Sequence, residues 1–140
     1  MEPNPYLVGS SLLFLITTTM AANYRQWVIY SVFLYISFIS SLYHATKNRY
    51  LLPFDYMGCY IVLYTLYQET NKLGYILHFK IGSSCCALLF WGGYFTNHLT
   101  WSDNKIEATL SHLVMHFITI TAAICTSHLM SVEDKKVNES

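Results

Sequence analysis

The chain has 140 residues, 54% of them apolar and only 11% charged, and carries no net charge at neutral pH. With no basic patch and no arginine-rich segment, it does not read as a nucleic-acid-binding protein. It is too apolar for an ordinary soluble domain, and its length fits one domain embedded in a membrane.

Five apolar stretches follow one another along the chain, at residues 6–22, 27–43, 52–67, 75–95 and 111–130. Crossing the hydrocarbon core takes about 20 helical residues, with a range of roughly 17–25. The first two stretches hold no charge. The third holds only Asp55, near its start, and the fourth only Lys80, close enough to one end to snorkel. The fifth holds three histidines. Alternating strand patterns are absent, so the expected fold is an all-α integral membrane bundle of about five transmembrane helices.

Residues 1–131 then form a single transmembrane domain, and the charged segment 132–140 is expected to be an unstructured polar tail. The leader before the first helix is acidic (Glu2) and no small-residue cleavage site follows, so that helix reads as retained rather than as a signal peptide. With five spans, Arg25, Lys72, Lys80, Lys135 and Lys136 fall on one side, and Lys47, Arg49 and Lys105 on the other. The positive-inside rule then puts the C-terminus in the cytosol. It does not choose between an endomembrane and the plasma membrane. Cys59, Cys85, Cys86 and Cys125 all lie in apolar runs and read as buried small hydrophobes, with no disulfide or paired-cysteine metal pattern.

The chemistry lies in the polar residues near the ends of these stretches. Ser40 and His44 are four apart and share one face of the second helix; His112 and His116, in HLVMH, share one face of the fifth. Two histidines at this spacing can hold one metal ion. Alone the spacing is weak, and histidines bonded to backbone or interfacial water are its commoner explanation. Topology adds weight. The second helix ends, the third begins and the fifth begins on the same side, so His44, Asp55, His112 and His116 share one depth. Three histidines with a fourth position left to water make an open zinc site. Asp55 can orient a ligand imidazole or accept a proton. Ser40 can donate to a developing oxyanion. His78, His98 and His128 read as interfacial or packing residues, and the tyrosines and tryptophans as interfacial belts.

S-x-x-x-H at Ser40 and His44, an aspartate eleven residues on at Asp55, and H-x-x-x-H at His112 and His116 in the last helix together resemble the CREST superfamily of seven-helix membrane hydrolases. That group includes alkaline ceramidases, GPI-lipid remodelling proteins, and the hemolysin III and adiponectin-receptor relatives. SSLYHA looks like the last of these, and FDYMGCYIVLYTLY like the first two. The resemblance implies a zinc ion held by His44, His112 and His116, with Ser40 and Asp55 as catalytic helpers in hydrolysis of a lipid amide (ceramide-like) or ester. It also implies a shortened form, lacking two helices between the third and the last. The acidic calcium-binding segment of ceramidases has no counterpart in MEPNPYLVG. Other classes remain open: a receptor-like or fusion-related membrane protein with a structural zinc or no metal, or a small subunit of a homo-oligomer or larger membrane assembly.

Overall fold

The computed structural model describes residues 3–139, with side chains as far as residue 136; Glu2 and the last residue of the polar tail, Ser140, lie outside the described residues. Among the described residues the chain forms an all-helical bundle without strands. We label the helices α1 (Pro5–Asn23), α2 (Trp27–Thr46), α3 (Leu52–Lys72), α4 (Ile76–Thr96) and α5 (Lys105–Glu139). All but α3 are long and apolar enough to cross a membrane. α3, at 21 residues, is as long as α1, α2 and α4 but carries Asp55 in its first turn and Glu69 and Lys72 in its last. The fold is that of an all-α membrane protein.

The expected helices are all present, and each runs further towards its C-terminal end than expected. α3 runs one turn past residue 67. α5 extends well beyond 111–130 on both sides. The expectation of an unstructured tail is not met, because α5 continues as helix through residue 139. Glu and Lys favour helix, and Lys136 Nζ pairs with Glu133 Oε2 at 3.3 Å on the same face. At about 1.5 Å per residue, α5 is far longer than the roughly 30 Å hydrocarbon core, so its charged end extends past the membrane.

α2 packs against α1 and α3, and α5 against α1, α3 and α4. The core comprises Phe14 and Ala21 of α1, Ile29, Phe33, Ile36 and Ile39 of α2, Val62 and Leu66 of α3, and Ile120 and Ala123 of α5. Between α1 and α2, beside the Phe14–Phe33 ring contact, small polar residues meet. Ser11 Oγ lies 3.0 Å from Ser40 Oγ, and Ser37 Oγ donates to Ser11 O at 3.1 Å. In lipid there is little hydrophobic gain from bringing helices together, so close packing of small side chains and hydrogen bonds must hold them.

α1 is interrupted at Leu13, between the segments Pro5–Leu12 and Phe14–Asn23. Just before the interruption, the Ser10 and Ser11 hydroxyls both donate to Leu7 O, at 3.0 and 2.8 Å. Such back-bonding bends helices. α4 is peripheral; Gly93 is its one buried residue among those described. Its π-helical segment, Leu88–Gly92, frees backbone groups, and Thr100 Oγ1 donates to one of them, Leu89 O, at 2.9 Å. The cysteines are not the buried residues expected. Cys59, Cys85 and Cys125 are exposed on the outer faces of α3, α4 and α5, where a thiol can meet lipid without cost.

Candidate metal centre

Each polar residue of the site is set by a local device. α2 ends where Lys47 takes a left-handed conformation, φ 51°, and donates its N–H to Tyr43 O at 2.7 Å. His44 therefore sits in the last turn of α2, with Ser40 one turn before it. Pro53 opens α3. That places Asp55 in the first turn, where the helix dipole favours a carboxylate. Gly58, one turn further, brings α3 close to α2. A Cβ there would lie 2.6 Å from Ile36 Cδ1 and 3.1 Å from Tyr35 Cε1. The start of α5 is fixed by Asn104 Oδ1, which accepts from Ile106 N–H at 3.0 Å. Glu107 accepts there from Leu99 N–H at 2.9 Å and the Ser102 hydroxyl at 2.6 Å. The two histidines of HLVMH follow on one face.

These devices bring His44, His112 and His116 together. One potential ligand nitrogen from each lies within 4.8 Å of the other two. The ring centroids of His44 and His112 are 5.0 Å apart, and those of His112 and His116 4.8 Å. His44 and His116 are buried, whereas His112 is half-buried. His44 Nε2 and Asp55 Oδ1 are both buried without a hydrogen-bond partner. A buried imidazole nitrogen with no partner is costly unless something fills the space beside it. Neutral imidazoles are favoured ligands of zinc-like cations, which sit about 2.0–2.1 Å from nitrogen. Nitrogens this close need only small rotamer adjustments to share one ion, so the residues present fit a metal.

Ser40 and Asp55 are both buried, at 2% and 4% exposure. The Asp55 carboxyl has the Ser40 hydroxyl and the Lys47 ammonium as polar neighbours. Burial lowers the Lys47 pKa from its ordinary value, while the Asp55 carboxylate acts in the opposite sense. The remaining histidines stay apart: His78, His98 and His128 are exposed. His98 instead lies against Glu107, Nδ1 to Oε1 3.6 Å.

Sequence reading missed the α1 contribution and Lys47. Ser10 Oγ lies 2.8 Å from His116 Nδ1, and Phe14 packs its ring 5.1 Å from the His116 ring. Lys47 Nζ lies 3.2 Å from His44 Nδ1 and 5.1 Å over the Tyr43 ring. Two adjacent serines in an uncharged run, Ser10-Ser11, were the available signal for α1. No family model matches the chain, and no curated protein or solved structure matches it.

Proposed function

We propose that the protein is a metal-dependent membrane hydrolase, holding zinc on His44, His112 and His116 and cleaving a lipid amide or ester. The observation that carries this reading is the convergence of three histidines from two helices, with their candidate ligand atoms within 4.8 Å. The buried Asp55, whose Oδ1 has no partner and which shares the neighbour Lys47 with His44, supports catalysis over a purely structural clip, because a structural site needs no buried acid. Bound there, zinc supplies Lewis acidity, activating water and polarising a carbonyl.

The chain's own residues divide the remaining work. Asp55 accepts the proton that water gives up and returns it to the leaving amine or alcohol as the acyl bond breaks. Ser40 is one turn from His44 and lies 3.0 Å from Ser11 Oγ. Ser11 gives its hydrogen to Leu7 O at 2.8 Å, and the Ser40 hydroxyl has the Asp55 carboxyl as a second polar neighbour. To stabilise an oxyanion, Ser40 must turn its hydrogen away from these resting partners towards the substrate. Of the three histidines, the half-buried His112 is the one most accessible to a lipid carbonyl.

The test is the metal content of detergent-purified protein, beside His44→Ala, His112→Ala and His116→Ala. The expected result is about one zinc per chain, lost in each variant. Wild type is then screened against ceramides and glycerolipids for released fatty acid. A folded wild type without zinc overturns the reading. Zinc without turnover of any lipid reduces the site to a clip between α2 and α5.

A further inference from the structure

Ser10 belongs to α1, which supplies no metal ligand. It is 4% exposed and is wedged against α5, with its Oγ 2.8 Å from His116 Nδ1 and 3.0 Å from Leu7 O. A hydroxyl has one hydrogen to give, and a carbonyl oxygen can only accept. Both contacts are hydrogen bonds at once only if Ser10 donates to Leu7 and His116 donates its Nδ1–H to Ser10. The reversed arrangement, with Ser10 donating to a bare Nδ1, gives up the Leu7 bond and moves the imidazole proton to Nε2. In a buried, water-poor setting the arrangement that makes both bonds is favoured.

We infer that Ser10 is a positioning residue that holds His116 in the tautomer with a proton on Nδ1, leaving the Nε2 lone pair free for the metal ion. This rests on the metal reading above. A histidine in water prefers the opposite tautomer, so the site must impose this one. Metal-binding histidines commonly need such a partner on the second nitrogen to fix tautomer and ring orientation. Phe14, one turn beyond Ser10, rests its ring 5.1 Å from that of His116, so one helix sets both the proton and the tilt.

The experiment uses the full chain labelled with 15N-histidine, purified in detergent and stripped of metal. Long-range 1H–15N correlation reads which nitrogen of His116 is protonated, with His116→Ala giving the assignment. Zinc affinity is measured in parallel by competition with a chromophoric chelator. The variants are Ser10→Ala, which suits a helix interior, and Ser10→Thr, which keeps the hydroxyl. Wild type and Ser10→Thr should show a protonated Nδ1 and a bare Nε2. Ser10→Ala should shift the proton towards Nε2 and weaken zinc binding about 10–100-fold. Loss of packing alone would lower affinity without moving the proton and would overturn the inference. So would a wild-type His116 protonated on Nε2, or a Ser10→Ala protein with wild-type tautomer and affinity. If wild type binds no zinc, the metal reading falls, and the tautomer signal still decides whether Ser10 holds the ring.

Discussion

The backbone N–H of Asn4 donates to the carbonyl oxygen of His44 at 3.1 Å, joining the residue before α1 to the last turn of α2. The Asn4 side chain adds a third helix. Its Oδ1 caps α1 by accepting from Tyr6 and Leu7 N–H, and its Nδ2 donates to Thr109 Oγ1 of α5 at 2.8 Å. One asparagine thus ties together the ends of the three helices that surround the histidine cluster. Asn4→Ala keeps the backbone bond but loses the cap and the Thr109 link. Unfolding in detergent should show a loss of about 1–2 kcal/mol. Zinc content should stay near that of wild type, since no ligand is touched. An unchanged unfolding midpoint would show that the clamp contributes nothing.

Gly58 controls how closely α3 approaches α2. Gly58→Leu puts a side chain where even a Cβ would lie 2.6 Å from Ile36 Cδ1. Overpacking of this kind costs about 1–3 kcal/mol. The effect on the site should be unequal. The three histidines lie on α2 and α5 and should still bind zinc. Asp55, one turn before Gly58, should be displaced with α3, so lipid turnover should fall well below what zinc occupancy predicts. Parallel loss of zinc and turnover would mean that α3 braces α2 itself.

The number and order of the helices were legible because each span shows as an apolar run, and the common depth of His44, Asp55, His112 and His116 followed from counting crossings. What was not legible has physical causes. Serine hydroxyls are tolerated in apolar helices because they bond back to carbonyls, so Ser10 and Ser11 look like filler until the partner helix is known. Lys47 reads as a loop cation; only the left-handed end of α2 turns it back onto His44. The helical end of α5 was hidden because composition suggests disorder in a charged tail, whereas here helix propensity and an i,i+3 ion pair continue a helix already nucleated by the bundle.

Asp55 is buried, faces Ser40 and Lys47, and leaves Oδ1 without a partner. Asp55→Asn preserves size and hydrogen-bonding capacity but removes the proton acceptor. Lipid hydrolysis should fall about 10²–10⁴-fold. Zinc stoichiometry and the unfolding midpoint should stay close to wild type. Lost zinc in Asp55→Asn would move Asp55 from proton transfer to ligand support.

Lys47 opposes the cation that the histidines are proposed to hold. An ammonium has donors only, so its 3.2 Å contact uses the lone pair of His44 Nδ1. If Nδ1 is the ligand atom, Lys47 occupies its lone pair. If Nε2 is the ligand atom, a donor on Nδ1 forces the imidazole proton onto Nε2. Either way Lys47 must release His44 before the site fills, and its charge repels the incoming ion. Tyr43, beneath its ammonium, and the Asp55 carboxylate offer it resting places. Lys47→Met keeps the apolar stem and removes the charge. Zinc affinity measured by chelator competition should rise about tenfold, equivalent to about 1.4 kcal/mol. Weaker binding in Lys47→Met would reverse the assignment and make Lys47 a support for His44, acting through Asp55.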